Sequence, residues 1–202
     1  MNISKIQCEI SKLLFDACEK SIAKLKNDMN EKVYAFVLYP SSGFSDFGLA
    51  VSTRESLAEL SEDEGIDEEL LESLKDHPDL LSDFLNEGAD NDYYELTASE
   101  WSYLSIYPEL FGQLNDYLVS FDEQIDENEI NYEDVYEMFA TTIVEVFQNI
   151  NNKGLFIDEC FESDILKGAQ FPDDTNSKVM CLVSEKINSE KWHQKVLNQF
   201  NK

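Results

Sequence analysis

Few residues in this chain are of a type that does chemistry. There are two histidines, His77 and His193, one arginine, Arg54, and four cysteines, Cys8, Cys18, Cys160 and Cys181. A catalytic histidine needs a positioned partner within hydrogen-bond reach. His77 precedes Pro78 and His193 follows Trp192, and neither local sequence supplies such a partner. Two carboxylates can share acid–base work when their surroundings separate their pKa values. The chain offers 42 acidic residues, and no pair is set apart by apolar neighbours. Glu100, beside Trp101, is the least ordinary of them, and a helix-capping role accounts for it. A calcium loop beginning at Asp126 would place Asn128 third and Glu137 twelfth. It fails at Ile130, where an oxygen ligand belongs, and at Asn131, where glycine makes the turn. No GxxxxGK[ST], GxGxxG, GxSxG or HExxH occurs. With Arg54 alone, bidentate phosphate recognition is short of donors. No cysteine belongs to a CxxC pair, and each has apolar neighbours, the pattern of small buried hydrophobes in a reducing compartment. The expectation is no catalytic residue, no cofactor and no metal, so that function lies in binding another macromolecule.

Charge says what kind of macromolecule. The formal net charge is −27, from 42 acidic and 15 basic residues. Nucleic-acid binding depends on Lys and Arg displacing counterions from phosphates, and anionic membranes repel the same charge. A basic protein partner is favoured, because long-range attraction steers association. The acids are also segregated: no Lys or Arg lies between Lys75 and Lys153, whereas the first 32 residues carry six lysines. Unpaired carboxylates stay at the surface, so this stretch predicts one broad acidic face. The residues expected to meet the partner are Asp76, Asp79, Asp83, Asp90, Asp92, Asp122, Asp126 and Glu129. Tyr93, Tyr94, Trp101, Tyr103 and Tyr107 could stack on a ligand, but helical spacing makes most of them core residues; an exposed member would be informative, because Tyr and Trp are favoured binding anchors.

The elements that position these residues follow from periodicity. With 202 residues, 43% of them hydrophobic, the chain can bury a core without disulfides or metal. Ile3, Ile6, Ile10, Leu13, Leu14, Ala17 and Leu25 mark an amphipathic helix ending near residues 27–30. Residues 33–39 and 47–52 read as two antiparallel strands around a Pro-Ser-Ser-Gly turn. A short helix capped by Ser52 or Thr53 runs through Leu60. Ser61 opens a second helix by a capping box, and Pro78 a third that ends before Gly88. Residues 93–96 read as extended. Thr97 to Glu100 form another capping box, opening a helical region to Leu118 that Pro108 interrupts. Asn131 begins a long, deeply buried helix ending at 149–154. Residues 155–157 read as a short strand, 168–177 as a loop and 178–184 as a strand, with Asn188 capping a last helix. The class is α+β: a small, mostly antiparallel sheet packed with several helices, one domain over 1–202, with an acidic helical subregion at about 59–92. The amphipathic start is no signal peptide, and no segment approaches the ~18 apolar residues of a membrane span, so a cytoplasmic location is expected.

The Tyr-Ala-Phe-Val-Leu-Tyr strand (34–39), the Gly-Leu-Ala-Val-Ser-Thr-Arg-Glu-Ser-Leu strand and helix start (48–57) and the Ser-Glu-Trp-Ser-Tyr segment (99–103) resemble the bacterial family catalogued as domain of unknown function 4303. That resemblance carries no catalytic residues to this chain. It implies kinship with immunity proteins that neutralise toxins in bacterial polymorphic toxin systems. The expected function is then occlusion of a basic toxin domain, such as a nuclease. The alternatives are an adaptor or regulator of an ordinary cellular protein and an enzyme of unrecognised type. Gene neighbourhood separates the first two, and a deep polar pocket holding a buried carboxylate would favour the third.

Overall fold

In the computed structural model, residues 3–63, 91–127, 131–172 and 177–200 are described, with no side-chain description for residues 3, 61–63, 91–92 and 122–127. Helix α1 (Ile3–Asp28) leads into strands β1 (Val33–Pro40) and β2 (Phe47–Thr53). Helix α2 (Arg54–Asp63) follows directly. Further on come α3 (Asn91–Leu96), two 3-10 turns (Ala98–Glu100 and Pro108–Phe111), α4 (Gly112–Glu127) and α5 (Tyr132–Asn152). Strand β3 (Phe161–Ala169) and helices α6 (Ser177–Ile187) and α7 (Glu190–Phe200) complete the described chain.

The class is α+β. The sheet has the order β2-β1-β3, with β1 antiparallel to β2 and parallel to β3. Seven of the eight residues of β1 are buried, as a central strand covered on both faces requires. Register shifts between Val33 and Ala35 in both pairings re-aim Tyr34. Its ring stacks on Trp192 of α7, whereas Phe36, two residues on, meets Phe147 of α5 edge to face. Helix α1 packs against both α4 and α5 to form the other layer, Phe121 of α4 meets Phe139 of α5 edge to face, and the buried side chains make one cluster.

Helix α5 begins where its sequence predicts. The Asn131 side chain accepts from the Glu133 N–H at 3.1 Å. Replacing Asn131 with alanine leaves that donor to water and is expected to cost about 1 kcal/mol, read as a fall in the thermal midpoint. Thr53 caps α2 reciprocally: Ser56 N–H donates to Thr53 Oγ1 at 3.1 Å, and Thr53 N–H donates to Ser56 Oγ at 3.2 Å.

Several expectations are corrected. Ser61 to Asp63 belong to α2, which runs past the expected end at Leu60, and the body of the helix expected after Ser61 lies outside the described residues. Residues 93–96 are helical rather than extended. Thr97 to Glu100 make a single 3-10 turn without a side-chain cap; Thr97 Oγ1 donates to Tyr93 O instead, and Glu100 accepts from Ser99. Residues 155–157 are a turn, with Ile157 84% exposed. The strand lies at Phe161–Ala169, where Glu162, Ser163 and Asp164 interrupt the apolar pattern, and Gly168 and Ala169 belong to it rather than to a loop. The stretch 178–184 is helical: Val179, Met180, Val183 and Ile187 recur at helical spacing and are the buried positions. Ser189, not Asn188, caps α7, with Trp192 N–H reaching Ser189 Oγ at 3.4 Å. The expected helix at Pro78 lies outside the described residues.

Candidate functional site

Asp76, Asp79, Asp83, Asp90 and Glu129 lie outside the described residues. The backbone of Asp92 is in α3 and that of Asp122 and Asp126 in α4, but their side chains are not described. The acidic face visible in the structure is that of α5. Glu133, Asp134, Glu137 and Glu145 are all exposed on it, and none forms an ion pair with a described residue. Elsewhere several cations are engaged. Lys24 meets Asp28 and Glu109, Lys26 meets Asp158, and Lys153 meets Glu19. Lys167 is the exception among partly buried cations; burial pushes its pKa down, and Asp164 offsets part of that shift.

The chain's one arginine organises a second constellation. Arg54 Nε and Nη2 donate to the two oxygens of Glu162 at 3.0 and 3.3 Å, and Nη1 donates to Glu95. Lys195 of α7 holds the other Glu95 oxygen. The guanidinium carbon sits 4.1 Å from the centre of the Tyr34 ring, which stacks in turn on Trp192. Desolvation alone would lower the Arg54 pKa, but the bonds to Glu162 and Glu95 outweigh it and raise it. The cluster joins β1, α2, α3, β3 and α7. Every charge in it has an opposite partner, so it is built to hold elements together, and a buried carboxylate requires such pairing.

Helix α3 depends on this setting. It has six residues, too few for a stable isolated helix, and its last four carbonyls lack intrahelical partners. Each is met from elsewhere. Tyr93 O accepts from Thr97 N and Oγ1 at 3.0 and 2.7 Å, and Tyr94 O from Trp101 Nε1 at 2.8 Å. Glu95 O accepts from the Tyr34 hydroxyl at 3.0 Å and Leu96 O from the Gln170 amide. Of the five aromatics singled out in this region, Trp101 is buried, Tyr94, Tyr103 and Tyr107 are half-buried, and Tyr93 is 40% exposed. Burial and then Glu31, Glu59 and Glu55 push the Tyr103 pKa up. Burial and the hydrogen bond to Asp28 push Tyr107 up to about 12.

Two asparagines close the sheet. At the β2 edge, Phe47 N–H donates to Asn115 Oδ1 at 2.9 Å, and Asn115 Nδ2 donates back to Phe47 O at 3.1 Å. At the β3 edge, Asn188 makes the same pair of bonds to Lys167, at 2.8 and 2.7 Å. Leu49 O is taken by Ile106 N–H, Val51 N–H by Tyr103 O, and Asp164 O by Trp192 Nε1. These bonds occupy much of the β2 edge and the Lys167 and Asp164 positions of the β3 edge, which leaves less of each edge free to template strand addition.

His193 Nδ1 is 3.4 Å from Ser184 Oγ, a contact between two helices that local sequence could not show. Ser184 is buried and also accepts from Asn188 Nδ2, and no described residue forms an ion pair with His193. His77 lies outside the described residues. A cleft between α6, α7 and the sheet has room for about one water molecule. Val37, Leu166, Met180, Val196 and Phe200 line it together with Lys167, Gln170 and Ser184, and no carboxylate faces it. Among the described residues, no group of three His, Cys, Asp or Glu is placed to hold a metal, and no helix is long and apolar enough to cross a membrane. All four cysteines are free, and burial pushes the thiols of Cys18, Cys160 and Cys181 up.

These features define an α+β protein with asparagine-capped sheet edges, an internal ionic cluster that ties helices to the sheet, and an acidic helical face. The chain belongs to the family described as Domain of unknown function (DUF4303), whose model matches residues 14–189. No curated protein and no solved structure matches the chain. The family match ends immediately before α7, yet Trp192 and Lys195 of that helix complete the ionic cluster.

Proposed function

We propose that the protein is a non-catalytic binder of a basic protein in the cytoplasm, acting as an immunity-type inhibitor that occludes a toxin domain. The observation that carries this reading is the face of α5. Glu133, Asp134, Glu137 and Glu145 stand exposed without described ion-pair partners, inside a stretch free of Lys and Arg from 76 to 152. Solubility needs charge but not its segregation. Such a face accelerates encounter with a cationic surface and rejects anionic ones. With the acids on α5 and the sheet edges partly occupied, the partner is met by side chains of the helical surface. Free thiols and the absence of paired cysteines support a reducing compartment.

The test is capture of partners by the tagged protein at low and high salt, followed by mixing with the captured partner in equal amounts. A basic toxin that loses activity on mixing supports the proposal. A cognate toxin indifferent to the protein sinks it, and an ordinary cellular protein as partner establishes the adaptor reading. The double substitution Glu137→Lys with Glu145→Lys touches only exposed positions. It is expected to slow association with a basic partner about tenfold at low salt and to flatten the salt dependence, with the circular dichroism unchanged. Stopped-flow association rates at several salt concentrations would measure this.

A further inference from the structure

We propose that Lys167 is a modification site, an amine that takes a small acyl group from a thioester. This does not depend on the basic-partner reading; it follows from where the fold places the side chain. Lys167 is half-buried on β3 and lines the cleft between α6, α7 and the sheet. Asn188 bonds to its N–H and C=O at 2.8 and 2.7 Å and so fixes the backbone that carries it. Strand β1 presents Val37 to the cleft, α6 presents Met180 and Ser184, and α7 presents Val196 and Phe200, none of them charged. The polar side chains there are already engaged: Gln170 with Ala98 N–H and Leu96 O, and Ser184 with Asn188 and His193. Among the described residues, Nζ of Lys167 has neither an ion-pair partner nor a hydrogen-bond acceptor, whereas Lys26, Lys153 and Lys195 each hold a carboxylate. The one charge that acts on it is Asp164 of its own strand. An ammonium partly removed from water without such partners favours its neutral form, and burial accordingly pushes the Lys167 pKa down. The neutral amine is the nucleophile. Its lone pair attacks the acyl carbon; the N–C bond forms, the C–S bond breaks, and the sulfur leaves as a thiolate that takes up the amine proton. The amide so formed carries no charge to desolvate, whereas acylation of Lys26, Lys153 or Lys195 breaks an ion pair. Lys20 and Lys178, exposed on α1 and α6, provide the comparison.

The experiment treats the folded full-length protein at neutral pH with S-acetyl-N-acetylcysteamine, an uncharged thioester whose approach the net charge of −27 does not steer. Label stable to dithiothreitol is mapped by peptide mass spectrometry over a time course, so that acyl groups carried on the thiols are not counted. Lys167 is expected to be acetylated about fivefold faster than Lys20 and Lys178, and the preference should vanish in concentrated urea. Equal or slower labelling of Lys167 overturns the proposal. So does a preference that survives in urea, because it would come from local sequence rather than from the cleft. A second measurement concerns the charge itself. Lys167→Gln removes it as acetylation does and should leave the thermal midpoint within about 2 °C of wild type, whereas Lys195→Gln, which deprives Glu95 of a partner, should lower it by about 5 °C. A fall for Lys167→Gln as large as that for Lys195→Gln would mean that the fold needs the ammonium, and it too overturns the proposal.

Discussion

Replacing Trp192 with alanine is expected to destabilise the protein by about 4 kcal/mol, within the usual range for emptying a buried aromatic site. The indole is fully buried. It stacks on Tyr34 with ring centroids 6.0 Å apart, and its Nε1 donates to Asp164 O at 3.1 Å. Alanine removes the ring from a junction of α7, β1 and β3 and leaves a carbonyl of an edge strand without its donor. For a chain of this length, ~4 kcal/mol corresponds to a fall of roughly 10 °C in the thermal midpoint. Trp192→Phe keeps most of the apolar area and loses the hydrogen bond, so about 1–2 kcal/mol is expected. Urea denaturation followed by circular dichroism measures both. A Trp192→Ala variant within about 1 kcal/mol of wild type would show that α7 is not integral to the core.

The second large effect is expected at Glu95. Its carboxylate is almost fully buried and binds Arg54 and Lys195 at once. Removing one partner of a buried ion pair commonly costs about 3–5 kcal/mol, because the charge left behind has lost its counterpart. Here the cations have other recourse. The side chain of Arg54 is 38% exposed and retains Glu162, and that of Lys195 is 26% exposed. Glu95→Ala is therefore expected to cost about 2–3 kcal/mol, and Glu95→Gln about 1–2 kcal/mol because the amide oxygen still accepts. The loss should fall on α3 and α7 before the rest of the chain. Hydrogen exchange provides the check: amides of 93–96 and 192–198 should exchange faster in Glu95→Gln, while those of α5 keep wild-type protection. Uniform acceleration would mean that the cluster supports the whole core rather than these two elements.

The elements legible in advance were those whose instructions are local. Helix α1 carries its apolar face at spacings of three and four, Asn131 announces α5, and the Pro-Ser-Ser-Gly turn separates two strands rich in β-branched and aromatic residues. The misreadings have a common cause. Val179 to Val183 have strand-forming types, but the positions actually buried follow a helical period. Tyr93 and Tyr94 have strand propensity, yet as a helix each carbonyl of 93–96 finds a donor, from Thr97, Trp101, Tyr34 and Gln170. Strand β3 was missed because Glu162 and Asp164 break its apolar pattern, and both have tertiary roles: one binds Arg54, and the other accepts from Trp192 and Ser189.

By itself the sequence determined the α+β class, the main helices, the hairpin and the segregation of acids, since each follows from residue type and short-range spacing. Only the tertiary structure decided that Arg54 is an internal fastener, that Asn115 and Asn188 occupy the sheet edges, and that Tyr93 is the exposed member of its aromatic group. The reason is separation along the chain. Glu95 meets Lys195 across 100 residues, Arg54 meets Glu162 across 108, and Tyr34 meets the Glu95 carbonyl across 61. Satisfying a buried carbonyl or charge depends on which groups the packed elements bring within about 3 Å, and no local pattern encodes that.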